Sequence, residues 1–328
     1  MTTAEQPVPS TEQPAPSDTS PRPRTLADID DPELAEAYAR LLETLRDLGA
    51  SGDAAERGGL AVAFSGGVDS TLLVVAAREA LGERALAVTV TSAFIPRFEL
   101  EEARAFCSSR GIGLVECPVD VLAIPGVAEN PADRCYLCKT GIFTEIWRVA
   151  RVHGFATIVD GSNCDDLSDY RPGLAALREL GVRSPFVMAG FGKRLIRGVS
   201  RALGLPTWDK PSCACLASRV PYGEGLTPRK LGAVDRAEEF LRERGFRQLR
   251  VRAHEVGAPA GSTASAGQPV PEVPVFARIE VEPDDIARLA AEPLRSEVCA
   301  FMKGIGFAYT TLDLQGYRTG SLNESLAR

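Results

Sequence analysis

The run Ser65-Gly66-Gly67-Val68-Asp69-Ser70-Thr71 decides the fold, because it joins a short apolar strand at residues 60–64 to a helix that continues to about Ala80. Glycines let the backbone approach an anion closely, and the first amides of a helix point at that anion with the positive end of the helix dipole behind them. The hydroxyls within the run add further donors, and Asp69 can orient water or Mg²⁺. Two glycines alone would be an ordinary turn, whereas the complete run after a strand predicts a phosphate-binding loop.

Apolar strands and helical segments alternate around this loop. We predict strands at residues 60–64, 85–90, 114–117 and 156–160, and helices at residues 33–48, 68–80, 100–110, 142–153 and 191–205. Strands separated by helices of this length form βαβ units, so the expected fold class is α/β, with a parallel sheet covered on both faces.

A smaller α+β domain is expected after the parallel sheet. We predict a helix at residues 227–244, strands at 248–252, 276–281 and 307–314, and a further helix at 283–291. The predicted organisation is a disordered, Pro- and Ser-rich tail at 1–25, a domain at 26–225 that carries the phosphate loop and an N-terminal helix, and a C-terminal domain at 226–328. The C-terminal domain carries a flexible insertion at 257–274, which is rich in Ala, Gly, Ser and Pro.

The composition narrows the class of protein. The chain has 328 residues, of which 45% are hydrophobic and 25% charged, with a formal net charge of −7. An acidic balance argues against a nucleic-acid partner, because such proteins usually carry basic patches. The chain has neither an apolar run near the ~20 residues of a membrane span nor the features of a signal peptide, so we expect a soluble, cytoplasmic protein without a membrane partner.

A second polar motif follows the fourth predicted strand. It comprises the runs Gly161-Ser162-Asn163-Cys164-Asp165-Asp166 and Asp169-Tyr170-Arg171-Pro172-Gly173. Open α/β sheets bind ligands at the carboxyl ends of their strands, which places this motif beside the phosphate loop. There Asp165 and Asp166 can hold Mg²⁺, and Arg171 can pair with a phosphate.

Cysteines form the third signal. Cys135 and Cys138 make a CxxC pair, and the run Pro211–Arg219 adds Cys213 and Cys215. Soft thiolates without histidine suit zinc or an iron–sulfur cluster, although a redox pair or coincidence gives the same spacing. Thiols beside a phosphate-binding loop also suggest sulfur chemistry. Three other cysteines lie in apolar stretches and are expected to be buried packing residues, namely Cys107, Cys117 and Cys299.

The phosphate loop lacks the Gly-Lys-Ser/Thr ending of a Walker A motif. It resembles instead the PP-loop of enzymes that split ATP into AMP and pyrophosphate. This resemblance implies an adenine nucleotide alpha hydrolase-like domain in which Ser92 lies near the adenine. The implied ATP-binding residues of the loop are Ser65, Gly66, Gly67, Val68, Asp69 and Ser70.

The combined motifs of residues 163–173, 182–185, 205–212, 215–219, 221–223 and 312–321 resemble the LarE family, and the likeness spans about residues 55–325. Members of this family are ATP-dependent sulfur transferases that make the nickel-pincer nucleotide, the cofactor of lactate racemase. The resemblance implies adenylation of a carboxylate of pyridinium-3,5-biscarboxylic acid mononucleotide, release of pyrophosphate, and insertion of sulfur to give a thiocarboxylate. It also implies a homo-oligomer.

Family resemblance further assigns the catalytic residues Asp69, Cys135, Cys138 and Cys215. In members with three clustered cysteines a 4Fe–4S cluster carries the donor sulfide, and Cys135, Cys138 and Cys215 match that pattern, with Cys213 as an alternative third ligand. In members with one active-site cysteine that residue gives up its own sulfur, which here would consume Cys215 alone.

The C-terminal domain supplies candidates for binding the substrate phosphate. Arg250 and Arg252 alternate on a predicted strand, so both guanidinium groups emerge on one face. Glu238 on the preceding helix and Glu280 on the next strand join them, and the counterparts of these residues in the family bind phosphate or metal. Two other functions share some of these features: a PP-loop tRNA thiolase, which the acidic balance disfavours, and a non-catalytic adenine-nucleotide sensor, which would not need so many acidic and thiol groups.

Overall fold

The computed structural model describes residues 22–50, 58–168, 173–256 and 274–318. Most of the predicted tail, Arg171 with its neighbours at 169–172, and residues 257–273 of the predicted insertion lie outside the described residues.

Four parallel strands form the first sheet, as the alternation of strands and helices predicts. They are β1 (Leu60–Ala63), β2 (Ala85–Thr91), β3 (Leu114–Pro118) and β4 (Ile158–Val159), in the order β3-β2-β1-β4. β4 is shorter than the predicted 156–160, because after Val159 the chain bonds to a neighbouring loop: the Asp160 amide donates to the carbonyl of Arg183 at 2.9 Å. The carboxyl ends of β1 and β4 lie side by side, so their following loops meet at one edge.

Helices cover both faces of this sheet. They are α1 (Pro32–Ala50), α2 (Val68–Leu81), α3 (Arg97–Ser109), α4 (Arg134–Val152), α5 (Gly173–Glu179), α6 (Pro185–Met188) and α7 (Lys193–Ala202). The apolar residues predicted to form one face of α1 are buried: Tyr38, Leu41 and Leu45 are all 0% exposed. They pack in one core with residues of α2 and α7.

Helix α4 begins at Arg134, eight residues before the predicted start at 142. The composition of these eight residues does not predict a helix, because cysteine, threonine and glycine are weak helix formers. Tertiary packing overrides that preference: a Cβ at Gly141 would lie 2.5 Å from the Ile124 side chain, so the helix is held close to the segment before it. The CxxC pair therefore lies in the first turn and a half of a helix, where both thiols are fixed.

The second sheet contains β5 (Leu249–Glu255), β6 (Val275–Val281) and β7 (Tyr309–Leu312), flanked by α8 (Pro228–Glu243), α9 (Ile286–Ala290) and α10 (Leu294–Gly304). β5 and β6 pair antiparallel, which confirms the predicted hairpin, and β6 pairs with β7 in parallel. α10 was not predicted. The buried core of this sheet also includes Phe94, Val121 and Leu216, which lie in the segments after β2, after β3 and before α8. None of the helices in the described ranges has the length and apolar character of a membrane span.

Candidate active site

The glycine-containing run at residues 65–71, which the sequence predicts to be a phosphate loop, joins β1 to α2. Gly66 adopts φ +72°, a left-handed conformation that glycine takes without strain, and Gly67 precedes the first residue of α2. The Ser65 amide donates to the Ser70 hydroxyl at 3.2 Å, and the two hydroxyls lie 3.1 Å apart. These bonds close the loop on itself and keep the start of α2 directed at the space above the sheet.

A cavity of about 390 Å³ opens beside this loop. It lies between the ends of β1 and β2 and the side of α4, which is the carboxyl edge where a ligand is expected. Both polar and apolar side chains line it, and the lining includes Ser65, Gly67, Asp69, Ser70, Thr89, Ile95, Glu99, Lys139, Ile142, Phe143, Ser162 and Asp166. A phosphate tail at the loop and an apolar wall for a base are therefore both available.

Asp69 is a buried carboxylate of this cavity with a shifted pKa. Burial raises the pKa of Asp69, and Asp166 adds to this effect, while an ion pair with Lys193 opposes it. The second carboxylate oxygen, Oδ1, is buried and has no hydrogen-bond partner among the described residues. An unpartnered, buried carboxylate oxygen next to another carboxylate can be satisfied by a hard cation such as Mg²⁺.

The two neighbouring carboxylates of the second motif, Asp165 and Asp166, lie in different places. Asp166 lines the cavity, and its Oδ2 accepts the Asn163 amide at 3.0 Å. The exposed Asp165 lies outside the cavity lining, and its Oδ2 accepts the Lys193 amide at 2.7 Å at the start of α7. Ser92 also lies outside the lining, where its hydroxyl accepts the Phe94 amide at 3.3 Å in a local turn.

Cys135, Cys138 and Cys215 lie together beside this cavity. Cys138 and Cys215 pack against the same apolar cluster. Burial raises the pKa of the Cys138 thiol to about 12, and Cys215 and Cys135 contribute to the rise. Lys139, which follows Cys138, lies in the cavity wall. Within the described ranges, no group of three or more His, Cys, Asp or Glu side chains is arranged so that it could hold a metal ion.

Cys213 lies in different surroundings from Cys215. It lines a second cavity of about 270 Å³ together with Lys210, Arg242 and Arg250. Burial raises the pKa of its thiol, and Glu99 adds to this effect. The structure therefore groups Cys215 with the CxxC pair and turns Cys213 toward a basic cavity.

The other cysteines follow the prediction in part. Cys107 and Cys117 are buried, as predicted, but Cys299 is exposed, so its prediction as a packing residue is wrong. α10 buries Val298 and Met302 instead, and Cys299 falls outside that buried stripe. Cys164, which the sequence left unassigned, is half-buried.

The arginines predicted to bind the substrate phosphate hold the cysteine loop. Arg250 donates to the Ser212 carbonyl at 2.9 Å, and Arg252 donates to the Ser218 carbonyl at 2.9 Å. Between them Arg219 donates to the carbonyls of Ala214 and Cys215, at 2.7 and 3.3 Å. Three guanidinium groups thus fix the backbone on both sides of Cys215.

The two predicted glutamates balance these charges from inside the protein. Glu238 pairs with Arg219 at 2.8 Å, and Glu280 pairs with Arg252 at 2.6 Å. All four side chains are at most 6% exposed. Arg250 has no carboxylate partner at this distance among the described residues, stacks on Tyr317, and is the member of the set that lines the second cavity.

Sequence reasoning missed three cations of the site. Lys193 pairs with Asp69, and Lys210 donates to the Gly66 carbonyl at 3.0 Å. Arg219 stands out in the sequence only as part of a longer motif. Their common signal is a basic residue inside a polar run near a predicted strand or helix. Many residues share this signal, so it does not identify these three cations without the fold.

Several proteins of known sequence are similar to this chain, although no family model matches it. The chain is 32% identical over 296 residues to pyridinium-3,5-bisthiocarboxylic acid mononucleotide synthase of Lactiplantibacillus plantarum, covering 90% of this chain and 96% of that protein. It is 39% identical over 267 residues to an uncharacterized protein of Synechocystis sp., covering 81% of this chain and 92% of that protein.

A more distant likeness concerns the parallel-sheet part. Over 203 residues the chain is 26% identical to one subunit of the glutamine-hydrolyzing GMP synthase of Archaeoglobus fulgidus, covering 56% of this chain and 63% of that protein. This partial likeness agrees with a PP-loop domain that uses ATP. The full-length likeness to the Lactiplantibacillus plantarum synthase goes further, and with the loop, the cavity and the grouped thiols it identifies the chain as a member of the LarE family of ATP-dependent sulfurtransferases.

Proposed function

We propose that the protein uses ATP to adenylate a carboxylate of pyridinium-3,5-biscarboxylic acid mononucleotide and then inserts sulfur to give the thiocarboxylate. One observation carries this proposal: Cys138, with Cys135 and Cys215 near it, directly precedes Lys139 in the wall of the cavity beside the phosphate loop. The product would serve the nickel-pincer cofactor of lactate racemase.

Adenylation would take place at the phosphate loop. The substrate carboxylate attacks the α-phosphorus of ATP, and pyrophosphate leaves. The loop residues from Ser65 to Ser70 would hold the phosphates, and Asp69 with Asp166 would hold Mg²⁺ on them. Asp165 would act indirectly, because it fixes the start of α7 and so the position of Lys193. Ser92 near the adenine and Arg171 on a phosphate complete the proposed ATP site.

Sulfur transfer would take place on the side of α4 that carries the thiols. A nucleophilic sulfur attacks the activated carbon, and AMP leaves with the bonding electron pair. Three thiols without histidine have the donor chemistry of a 4Fe–4S cluster, although the described residues do not hold them in the arrangement of a single-ion site. In this proposal Cys135, Cys138 and Cys215 would hold such a cluster, which would supply an extra sulfide as donor. In the alternative, Cys215 attacks with its own Sγ, and the Cβ–Sγ bond then breaks with loss of the Cα proton.

The substrate phosphate would bind at the second cavity. Arg250 and Lys210 line that cavity and offer positive charge next to the cysteine loop. Arg252, Glu238 and Glu280 would not contact the phosphate but would hold the cysteine loop in position, since their charges are paired inside the protein. We propose a homo-oligomer on the basis of the family.

Pyrophosphate release that depends on the pyridinium substrate tests the adenylation half. Wild-type protein should release pyrophosphate when ATP, Mg²⁺ and the substrate are all present, and Asp69→Asn should reduce this release by at least about 100-fold. ATP binding without any pyrophosphate release would favour the nucleotide sensor instead. Tight tRNA binding with a steep salt dependence would favour the thiolase.

Iron and labile-sulfide quantification on anaerobically purified protein tests the sulfur half. With a cluster, iron and sulfide should be present, and Cys135→Ser, Cys138→Ser and Cys215→Ser should each lose them while Cys164→Ser keeps them. With a sacrificed cysteine, mass spectrometry after turnover should show the loss of one H₂S from Cys215. Full multi-turnover activity in Cys135→Ser would contradict the three-thiol site.

A further inference from the structure

Arg134 is a buried cation at the start of the cysteine-bearing helix. It is 2% exposed, and it directly precedes Cys135. Its Nη1 donates to the Asn130 side-chain carbonyl and, at 3.2 Å, to the carbonyl of Ala217. Its guanidinium also lies 5.3 Å from the ring centre of Tyr222. The side chain therefore connects the first turn of α4 to the segment that carries Cys215.

No Asp or Glu among the described residues forms an ion pair with Arg134, whose bonds go to neutral groups. A buried charge without a partner of opposite sign is expensive, so such a residue is expected to have an anionic neighbour in the working protein. The sulfurs of the cysteine site can supply negative charge when they are deprotonated. Arg134 and Cys138 are four residues apart and so share one face of α4, and Arg134 also bonds to the segment that carries Cys215.

Asn130 holds Arg134 in place. It is 0% exposed and adopts φ +58°, a conformation that asparagine tolerates better than most residues. Its side-chain amide donates to the carbonyls of Val220, Pro221 and Glu224, at 3.3, 2.7 and 3.1 Å. One side chain thus bonds at its nitrogen to the loop after Cys215 and at its oxygen to Arg134.

We propose that Asn130 and Arg134 form a positioning pair for the sulfur site: Arg134 is the counter-charge of the anionic sulfur group, and Asn130 keeps the α4 thiols next to Cys215. Neither residue of the pair lines the cavity beside the phosphate loop. Its role is to bring together two segments, residues 134–138 and 215–224, that are far apart in sequence. The inference rests on the proposed function, in which these thiols act together on the adenylated carbon.

Thiol cross-linking measures the positioning directly, without turnover. In the full-length, reduced, metal-free chain carrying Cys135→Ser, dibromobimane should bridge Cys138 and Cys215, with the link assigned by peptide mass mapping. Asn130→Gly keeps the left-handed backbone without strain and removes only the side-chain bonds. We expect it to lower the cross-link yield about tenfold, because four hydrogen bonds are lost together.

The rate of sulfur transfer tests the role of the positive charge of Arg134. Arg134→Gln should lower kcat for thiocarboxylate formation by about 100-fold with little change in KM for ATP, as expected for a misplaced reacting group. Arg134→Lys restores the charge, so its kcat should be at least about tenfold higher than that of Arg134→Gln. Recovery is incomplete because the lysine ammonium lacks the planar guanidinium that donates to two acceptors. Arg148→Gln, on the same helix in an exposed pair with Glu145, is the matched control.

Three results would overturn the inference: an unchanged cross-link yield in Asn130→Gly, no cross-link in the parent chain, or equal activity of Arg134→Gln and Arg148→Gln. Failure of Arg134→Lys to exceed Arg134→Gln would remove the counter-charge role. Thermal unfolding of each variant confirms that the comparison is made on folded protein. If the cross-link responds as expected but no thiocarboxylate is ever formed, the proposed function fails while the positioning pair stands.

Discussion

Replacing Glu238 by glutamine should destabilise the protein far more than replacing its neighbour Glu239. Glu238 is completely buried, and its two oxygens accept bonds from Arg219 at 2.8 and 3.0 Å, from the Val251 amide at 3.0 Å and from Arg242 at 3.1 Å. Burial acts to raise the pKa of Glu238, but Arg219, Arg242 and Arg250 together outweigh it and the net pKa is lowered. The carboxylate is therefore held ionised by its partners.

The magnitude follows from what the substitution leaves behind. Arg219 is 0% exposed, so Glu238→Gln leaves a buried guanidinium without its counter-charge. Breaking a buried ion pair from one side costs about 3–5 kcal/mol. Glu239 is 38% exposed and pairs with Arg97 at the surface, where loss of a pair costs about 0–1 kcal/mol. The two substitutions change the same residue type at adjacent positions, so composition and unfolded-state effects cancel.

Urea unfolding at pH 7, followed by circular dichroism, gives the free energy of unfolding of each variant. A second readout is sulfur transfer relative to pyrophosphate release. Because Arg219 holds the carbonyls of Ala214 and Cys215, Glu238→Gln should reduce sulfur transfer more than adenylation. A double variant, Glu238→Leu with Arg219→Met, should regain stability without regaining sulfur transfer, since the apolar pair removes the buried charge but not the loop's need for donors.

The reasoning would be refuted if Glu238→Gln lost no more unfolding free energy than Glu239→Gln. It would also be refuted if the double variant transferred sulfur as well as the wild type, because the arginine would then not be needed to hold the cysteine loop.

Three further predictions concern single residues. Burial, with smaller effects of neighbouring arginines, lowers the pKa of His254 to about 4. Below the ordinary histidine pKa of about 6.5, the unfolded chain binds a proton that the folded protein does not. The free energy of unfolding should therefore fall by about 1–2 kcal/mol between pH 7 and pH 5. His254→Phe, which keeps the ring contact with Phe276, should remove that fall in urea unfolding, whereas His153→Asn should leave it unchanged. Gly66→Ala places a side chain at φ +72° and should cost about 1–2 kcal/mol of stability and weaken ATP binding in calorimetry; unchanged affinity would contradict the loop assignment. Cys299→Ser should change neither unfolding nor activity, because the side chain is exposed, and a loss in either assay would contradict its placement outside the core.

The fold class could be predicted because its signals are local. The glycine-containing run after β1 and the alternation of strands and helices depend on residues within one or two turns of each other, and both appear as expected. The early start of α4 could not be predicted, because Gly141 and its neighbours are helical only by packing against Ile124. The buried state of Arg250 and Arg252 was also missed, since a charged, alternating strand normally indicates a solvated face.

The sequence by itself determined the predicted phosphate loop, the α/β order of elements and the presence of two cysteine motifs, because each depends on a short, continuous run of residues. The tertiary structure decided which cysteines meet and what surrounds them. Cys213 and Cys215 are two residues apart, yet one faces a basic cavity and the other the CxxC pair. The reason is physical: burial of charge requires partners, and those partners, Glu238 for Arg219 and Glu280 for Arg252, come from a distant helix and strand that only folding brings beside the cysteine loop.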